Sequence, residues 1–447
     1  MFADTQLLAD AYRRLAQAYA DESRRLTALP QPLLKFHHQP FLSQLSSDAD
    51  DAEVLTLFGI NAEGAAQCQI IQPEPGQTMG LVEALEWLTL QYENRQRFPL
   101  YLHAIGFKRF WRPVLAQFLQ GSILTHVQGV EDVESPASVV IWGRQSEAVR
   151  KEAQQRHISL IELEDGFIRS VGLGAEFARP LSWIADRQTL YFDASAPSDL
   201  ETFLNQHEFT SIEKARALSL RQRMVNAGIS KYNTGHDGWQ RPEQAIAEGR
   251  EVILVAGQVE RDASIKYGSP GGASNLKLLK RVRELEGNAY IIYKPHPDVV
   301  AGARAKGTDE NLAFEIADEV VTDVNITQML THIDRLHVMT SLAGFEAMLQ
   351  GVDVVCHGMP FYAGWGLTTD MLPNTRRRAR LCLDSLVFAT LIHYPLYVSR
   401  SSGYYASAEQ TLEHLNQWKA QGEGKTRLFK KLVRKVLNAL QGRERRK

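Results

Sequence analysis

Cysteine is scarce in this sequence and shows no recognisable pairing. The 447 residues include only three cysteines, Cys68, Cys356 and Cys382, and no two of them form a C-x-x-C pair. A set this small does not build a disulfide scaffold or a thiolate zinc site, and it is typical of a reducing compartment. No H-E-x-x-H sequence and no cluster of His and Asp occurs either. We therefore expect a cytoplasmic protein whose site needs no metal.

Long apolar runs are also absent. The nearest candidate, residues 386–398, is broken by His393 and Pro395 and is shorter than the roughly 20 apolar residues that cross a bilayer. Asp4 and Asp10 lie where the apolar core of an export signal belongs. We expect a soluble or peripheral protein without an export signal.

The common nucleotide-binding sequences are missing. Gly172 and Gly174 begin a G-x-G-x-x-G pattern, but Phe177 stands in place of its third glycine, and no Walker A sequence is present. The sequence therefore has no signature of NAD or ATP binding, and we expect no cofactor.

The net charge of −2 conceals a basic C-terminal segment. Residues 425–447 contain ten Lys or Arg and one Glu. Apolar residues recur in this segment at helical spacing, at Leu428, Phe429, Leu432, Val433, Val436, Leu437 and Leu440. The pattern predicts a basic amphipathic helix on an anionic membrane surface, where each cation contributes about 1 kcal/mol. A solvated helix and a nucleic-acid tail are the alternatives, and the acidity of the remaining chain disfavours nucleic acid.

Strand-like and helix-like segments alternate along most of the chain. A length of 447 residues favours more than one domain, and short apolar strands between amphipathic helices predict parallel sheets covered by helices. We therefore predict an α/β fold with two Rossmann-like domains that face a cleft. The predicted segments are an N-terminal accessory or cap segment over 1–97, an acceptor-side domain over 98–245, a second domain over 246–400, and C-terminal helices over 401–447.

Polar residues follow the predicted strand EVILVA. The sequence GQVERDAS at 257–264 offers an amide and three ionisable side chains, with Asp262 two residues before Ser264. At the mouth of a cleft such a group suits ligand binding. The alternative is a solvated turn whose Asp and Ser cap the next helix.

A second predicted strand ends on IIYKPHPD, residues 291–298. Pro295 and Pro297 restrict the backbone on both sides of His296, so its imidazole is presented from a rigid segment. With Lys294 beside it, the segment can bind a phosphate oxygen by charge and by hydrogen bond, or protonate a departing phosphate. A structural histidine is the alternative.

A third predicted strand is followed by TSLAGFEAML, residues 340–349. Thr340 and Ser341 offer hydroxyls at a helix start, and Gly344 permits close backbone approach of an anion such as a nucleotide phosphate. Glu346, one turn further, can reach a ribose diol. The alternative is an ordinary serine cap.

In the first predicted domain, two carboxylates stand at a strand end. The sequence LIELEDGFIRSVGLG at 160–174 places Glu164 and Asp165 there, with Arg169 shortly after them. Neighbouring carboxylates can hold different protonation states, which suits acid–base chemistry. We expect them to face the second domain across the cleft.

Taken together, these motifs resemble the capsule polysaccharide biosynthesis family of KpsC-like proteins, the β-Kdo transferases. The resemblance covers about residues 98–400 and is carried, in order, by WGR at 142–144, EDGFIRSVGLG, RPLSWIADRQTLYFDASAPSDLE, GQVERDAS, YKPHPD, TSLAGFEAMLQG and GMPFYAGWGLT. It implies a retaining, metal-independent glycosyltransferase of the GT-B type that uses CMP-β-Kdo. Family members often carry two catalytic modules, whereas this chain has a single copy.

The resemblance also implies roles for residues on the donor side. Because retention needs two displacements, Asp262 is the expected nucleophile at the anomeric carbon of Kdo. His296 and Lys294 are expected to stabilise the departing CMP phosphate. The remaining expected donor-binding residues are Gln258, Asn275, Thr340, Ser341, Gly344 and Glu346.

On the acceptor side, Glu164 or Asp165 is the expected general base for the acceptor hydroxyl, and Arg169 is the expected partner of the Kdo carboxylate. The expected partners are CMP-Kdo, a glycan or glycolipid acceptor and other capsule assembly proteins, without nucleic acid. The expected location is the inner face of the cytoplasmic membrane, reached through residues 425–447.

Two other functions fit the same motifs. Polyol-phosphate transferases that use CDP-glycerol or CDP-ribitol share a KPHP-like strand end and a serine-rich helix start, but they need no anomeric nucleophile. A non-catalytic capsule assembly or export subunit would bind glycan in the same cleft and turn over no donor.

Overall fold

A computed structural model describes most of the chain. The residues described are 2–26, 48, 50, 69–71, 78–134, 137–144, 147–169, 179–228, 238–269, 271–300 and 312–420. The predicted basic helix at 425–447, Cys68 and the glycines Gly172 and Gly174 lie outside these residues. The predictions made for them therefore stay predictions.

Helices and strands alternate along the described chain, as the sequence predicts. The α-helices are α1 Phe2–Leu26, α2 Leu81–Gln96, α3 Arg112–Phe118, α4 Glu147–Gln155, α5 Asp199–Gln206, α6 Ser211–Ala227, α7 Glu243–Glu248, α8 Ala263–Gly268, α9 Asn275–Glu286, α10 Pro297–Val300, α11 Ala313–Ile316, α12 Ile326–Met329, α13 Leu342–Leu349, α14 Leu383–Val387 and α15 Ala408–Ala420. Short 3₁₀ turns span Arg109–Trp111, Val130–Asp132 and Leu330–His332, and a π-helix spans Phe388–His393.

The strands are β1 Gln69–Ile71, β2 Thr78–Gly80, β3 Tyr101–Ile105, β4 Ile123–Val127, β5 Ser138–Trp142, β6 Ser159–Asp165, β7 Ser182–Asp186, β8 Val252–Ala256, β9 Tyr290–Lys294, β10 Glu319–Val320, β11 Arg335–Val338, β12 Asp353–Cys356, β13 Thr369–Asp370 and β14 Leu396–Tyr397. They form two six-stranded sheets and the small antiparallel pair β1–β2.

The first large sheet has the strand order β14-β7-β6-β5-β3-β4. Its strand β3 pairs in parallel with both β4 and β5, whereas β6 and β7 are antiparallel, with Glu164 opposite Ile184. Strand β5 is almost fully buried, and its residues Val139 and Ile141 pack with Ala153 of α4. Burial of both faces explains why this strand reads as a continuous apolar run.

The second large sheet has the order β10-β9-β8-β11-β12-β13, and each neighbouring pair is parallel. Numbered along the chain, this is the 3-2-1-4-5-6 order of doubly wound sheets that bind nucleotides. Every residue of β8 and β9 is buried, and helix α9 buries Leu278, Leu279 and Val282 in the same core. The fully apolar strands and the amphipathic helix explain why this region could be predicted from periodicity.

The N-terminal helix α1 packs on α2. Leu8, Tyr12 and Leu15 of α1 share an apolar core with Leu81 and Leu85 of α2. In addition, Arg95 of α2 pairs with the buried Glu22 (Nε–Oε1 3.3 Å). Among the described helices none is long and apolar enough to cross a membrane.

The chain divides into two compact units. The first comprises residues 1–161 and 396–407, and the second comprises residues 162–395 and 408–447. The boundaries of these units differ from the domain boundaries predicted at 97, 245 and 400. Those domain boundaries stay predictions. The α/β class and the two sheets rich in parallel strands are confirmed.

Candidate active site

All twelve predicted site residues belong to the second unit. Most lie where strands of the second sheet end. The strand order reverses between β8 and β11, and ligands of open α/β sheets bind beyond the carboxyl ends of the strands at such a point. The segment after β8 contains Gln258 and Asp262, and the segment after β11 contains Thr340 and Ser341.

Gln258 joins these two segments. Its side-chain Nε2 donates to Thr340 Oγ1 (3.1 Å), and its Oε1 accepts from the Thr340 backbone N–H (2.8 Å). Both ends of the amide are thus bonded to one residue at the reversal point. In this structure Gln258 positions Thr340, because both its side-chain oxygen and its side-chain nitrogen form hydrogen bonds to that residue.

Asn275 fixes the segment after β8 from the other side. Its Oδ1 accepts from the Gln258 N–H and its Nδ2 donates to the Gln258 carbonyl, both at 2.9 Å. The backbone N–H of Asn275 donates to Glu260 Oε1 (2.8 Å). Because Asn275 begins α9, the helix and the segment are held as one unit, and Asn275 acts on the site through Gln258.

Lys294, the last residue of β9, is a buried cation. It is 5% exposed, and burial lowers its pKa to about 8, although the charge of Asp323 acts in the opposite direction. No described residue supplies a hydrogen-bond acceptor to its ammonium group. A buried ammonium without such a partner is costly. The arrangement therefore favours an anionic ligand at the end of β9.

His296 lies half-buried two residues further on. Its carbonyl accepts hydrogen bonds from the N–H groups of Val299 and Val300 (3.0 and 3.1 Å), so the short helix α10 begins directly after it. Pro297 is the first residue of this helix, a position where its missing N–H costs nothing. His296 is therefore held between the end of β9 and the start of α10.

Asp262 caps helix α8. Its Oδ1 accepts from the backbone N–H (2.9 Å) and from the hydroxyl (2.8 Å) of Ser264. This is the helix cap that the sequence offered as the alternative interpretation, and the catalytic role of Asp262 stays a prediction. Within the described residues, Oδ2 accepts no hydrogen bond.

Helix α8 lies against the segment after β11. A Cβ atom built on Gly268 would lie 2.9 Å from Thr340 Cγ2 and 3.1 Å from the carbonyl oxygen of Phe192. Only glycine permits this approach. The helix capped by Asp262 is thereby held next to Thr340.

The segment after β11 starts helix α13 through Ser341, whose Oγ accepts from the Ala343 N–H (3.2 Å). The Ser341 carbonyl accepts from the Tyr362 hydroxyl. A Cβ atom on Gly344 would lie 2.2 Å from Tyr362 Oη. In this structure, therefore, Gly344 permits the close approach of the Tyr362 side chain. Glu346 lies further along α13 and is half-buried.

The carboxylates at the end of β6 are held in different ways. Glu164 Oε1 accepts from the Asp165 N–H (3.0 Å), and Asp165 Oδ2 lies 2.8 Å from Nε of Arg169, which is 9% exposed. The angle of this ion pair is not that of a hydrogen bond, so charge attraction dominates it. Arg169, the predicted partner of the Kdo carboxylate, already has a carboxylate beside it.

An aromatic cluster that the sequence did not reveal connects the two groups of residues. Phe167, two residues after Asp165, packs on Tyr191 and Phe361 (ring centroids 4.9 Å apart in both pairs) and lies 6.3 Å from Phe345 of α13. Phe345 and Phe361 are also in contact (5.3 Å). The end of β6 is thus tied to the helix that carries Glu346.

A buried ionic group, also missed, holds the chain after β13. Glu201 of α5 accepts from Arg376 Nε (2.8 Å) and Arg377 Nε (3.0 Å). Arg377 is nearly inaccessible and lies over the ring of Trp365. The triple arginine at 376–378 was the only signal for it in the sequence.

The described residues form an α/β protein whose second sheet is doubly wound, with a buried lysine and two capped helix starts after the carboxyl ends of its strands. No group of three or more described His, Cys, Asp or Glu residues is placed to hold a metal ion. The chain belongs to the capsule polysaccharide biosynthesis family, because the family model described as "Capsule polysaccharide biosynthesis protein" matches residues 137–403.

Curated relatives agree with this family. The chain is 40% identical over 352 residues to the capsule polysaccharide modification protein LipA of Neisseria meningitidis serogroup B, covering 77% of this chain and 49% of LipA. It is 34% identical over 380 residues to the lipopolysaccharide-processing protein LpsZ of Rhizobium meliloti, covering 81% and 85%. The chain thus spans about half the length of LipA.

Two solved structures resemble it as well. The KpsC β-Kdo 2,7 transferase of Thermosulfurimonas dismutans matches with a TM-score of 0.58 and 34% identity, over 71% of this chain and 99% of that one. The KpsC β-Kdo 2,4 transferase of the same organism matches with a TM-score of 0.62 and 31% identity, over 71% and 98%.

Proposed function

We propose that this protein is a retaining glycosyltransferase that transfers Kdo from CMP-β-Kdo to a glycan or glycolipid acceptor during synthesis of a capsule or other surface polysaccharide. The similarity to two KpsC Kdo transferases, at 34% and 31% identity, supports the reaction class. The single observation in this chain that carries the proposal is Lys294, a buried cation at the carboxyl end of β9, on the edge of the doubly wound sheet beyond which ligands bind. A GT-B arrangement of its domains is part of the same proposal.

The first step breaks the bond between the anomeric carbon of Kdo and the CMP phosphate. Lys294, as an ammonium ion, attracts the charge that develops on the phosphate oxygen. His296, at the start of α10, donates a hydrogen bond or a proton to the same phosphate. Thr340, Ser341 and Glu346 hold the CMP moiety, while Gln258 and Asn275 position Thr340 and the segment after β8. Gly344 leaves room for Tyr362 beside the same helix.

Asp262 supplies the electron pair for this step. Ser264 occupies its Oδ1 and orients the carboxylate, so Oδ2 is the oxygen that attacks the anomeric carbon. A Kdo–Asp262 ester results, with inverted configuration, and CMP departs with the bonding electron pair. Attack by the acceptor hydroxyl inverts the carbon again and releases the carboxylate, so the β configuration is retained.

The acceptor hydroxyl loses its proton in the second step. Of the two carboxylates at the end of β6, Asp165 is already engaged by the guanidinium of Arg169. Glu164 is therefore our candidate for the general base. Arg169 retains guanidinium donors for the Kdo carboxylate while it holds Asp165.

A donor panel tests the reaction class. The protein is incubated with an acceptor and either CMP-Kdo or CDP-glycerol, and nucleotide release is followed by chromatography. Consumption of CMP-Kdo alone supports Kdo transfer, and consumption of CDP-glycerol alone indicates a polyol-phosphate transferase. If neither donor is consumed with any acceptor of the panel, the non-catalytic assembly or export subunit is supported.

Docking on the inner face of the cytoplasmic membrane through residues 425–447, beside other capsule assembly proteins, belongs to the same proposal.

A further inference from the structure

A turn in the first unit collects three cations and two aromatic rings that the proposed reaction does not use. We call residues 108–112, with the sequence KRFWR, the basic-aromatic turn. It follows β3 and contains the 3₁₀ turn Arg109–Trp111, closed by a hydrogen bond from the Trp111 N–H to the Lys108 carbonyl (2.9 Å). Five consecutive side chains therefore radiate from one tight turn.

Its cations have no carboxylate partner in the part of the chain that the structure describes. Lys108, Arg109 and Arg112 are exposed, and none of them forms an ion pair with a described carboxylate. The pKa of His126 on the neighbouring strand β4 is lowered by burial and then by the charge of Arg112. The surface around the turn therefore has a positive potential that an anion would relieve.

An apolar ring lies among these cations. Phe110 is 57% exposed and contacts Trp111, with ring centroids 5.3 Å apart. A phenyl ring left in water beside three cations is the composition of a segment that enters the headgroup region of a membrane, where aromatic rings and cations are both stabilised. A strand of nucleic acid or an acidic glycan would use the cations, but each is served better by a longer basic groove than by a single turn.

We propose that the basic-aromatic turn docks the protein on an anionic lipid bilayer, with Phe110 entering the interface and Lys108, Arg109 and Arg112 contacting lipid phosphates. The turn is a different segment of the chain from residues 425–447, and the proposal does not depend on the proposed reaction. Attraction of the three cations to the lipid and burial of one ring act together, so binding falls with added salt.

Vesicle sedimentation of the full chain tests the proposal. The probes are vesicles of phosphatidylcholine with phosphatidylglycerol and vesicles of phosphatidylcholine alone. The test variant combines Lys108→Gln, Arg109→Gln, Phe110→Ser and Arg112→Gln. Each cation near an anionic surface contributes about 1 kcal/mol, and loss of the Phe110 ring adds about tenfold, so we expect partitioning of the test variant onto the anionic vesicles to be about 1,000-fold weaker than that of the wild type.

A matched control removes the same charge and one exposed apolar side chain elsewhere. It combines Lys151→Gln, Arg187→Gln and Lys280→Gln with Ile212→Ser, all at exposed positions, Ile212 being 79% exposed. We expect this variant to partition like the wild type. For the single variant Phe110→Ser we expect partitioning onto the anionic vesicles to be weakened by about tenfold. Thermal unfolding of all variants distinguishes loss of docking from loss of the fold.

Equal partitioning of the test variant and the wild type would overturn the proposal. So would equal weakening of the test and control variants, because only net charge would then matter. Wild-type binding to single-stranded DNA or to an acidic oligosaccharide that is lost in the test variant, with vesicle partitioning unchanged, would assign the turn to that ligand instead.

Discussion

The side-chain amide of Gln258 bonds to Thr340 through both of its ends, across 82 positions of sequence. This pair closes the point where the strand order of the second sheet reverses, between β8 and β11. The rigidity of the proposed CMP site therefore depends on a residue that we assign no direct role in bond making.

Replacing Gln258 tests this positioning. Gln258→Ala leaves the Thr340 N–H without its acceptor, so we expect a loss of about 1–3 kcal/mol in the free energy of unfolding and weaker binding of CMP. Urea denaturation and calorimetric titration with CMP measure the two effects. Thr340→Ser keeps both hydrogen bonds and is the matched control. A Gln258→Ala protein with unchanged CMP affinity would contradict a positioning role.

Lys294 makes CMP binding dependent on pH. Its pKa is lowered to about 8 by burial, and CMP is fully ionised above about pH 7 because the second pKa of a phosphate monoester is near 6. We therefore expect the affinity for CMP to fall as the pH rises through about 8, where the ammonium loses its proton. Lys294→Arg, which stays charged, should move this loss to higher pH. A wild-type affinity that stays constant from about pH 7 to about pH 9 would refute the assignment.

The same lysine predicts how stability depends on pH. The folded-state pKa of about 8 lies below the ordinary 10.5, so the unfolded chain binds more protons between these values and the free energy of unfolding rises with pH over that window. Lys294→Met removes the buried charge. We expect this variant to be at least as stable as the wild type at neutral pH and to lose the rise, while CMP binding is lost. Urea denaturation of both proteins at a series of pH values measures the free energy of unfolding. A large loss of stability of Lys294→Met at neutral pH would show that Lys294 is structurally required.

Asp262 is expected to have two separable roles. Asn is as good a helix cap as Asp, so Asp262→Asn should keep the stability of the wild type while it lowers transfer by about 1,000-fold or more. Asp262→Ala should lose transfer and also about 1 kcal/mol of stability. Calorimetric titration should find CMP affinity unchanged in the Asn variant. Normal transfer by that variant would leave Asp262 as a helix cap only.

Gly344 is expected to tolerate no side chain. The Cβ atom that Gly344→Ala adds would lie only 2.2 Å from Tyr362 Oη. Overpacking of this kind lowers the free energy of unfolding by about 1–3 kcal/mol. Removing the hydroxyl with Tyr362→Phe should restore part of this loss in the double variant. The measurement is urea denaturation of both single variants and the double variant. An unaltered Gly344→Ala protein would show that helix α13 can move away.

The sequence allowed the second sheet and its strand ends to be predicted because β8 and β9 are apolar along their whole length and polar motifs follow them directly. Local chemistry also anticipated the cap that Asp262 makes. In contrast, the pairing of Gln258 with Thr340, the packing of Tyr362 on Gly344 and the aromatic cluster around Phe167 join residues far apart in the chain. No local pattern specifies such contacts, because they arise only when the elements pack. For Arg169 the resemblance implied only a contact with the Kdo carboxylate, and its pairing with Asp165 depends on the turn after β6.

The central claim is that Asp262 carries the sugar between two displacements. Mass spectrometry of the wild-type protein mixed with CMP-Kdo in the absence of acceptor measures this directly. We expect a mass increase of one Kdo residue, located on the peptide that contains Asp262 and absent in Asp262→Asn. An enzyme that transfers Kdo but forms no adduct on this peptide, or forms one that persists in Asp262→Asn, would contradict the account.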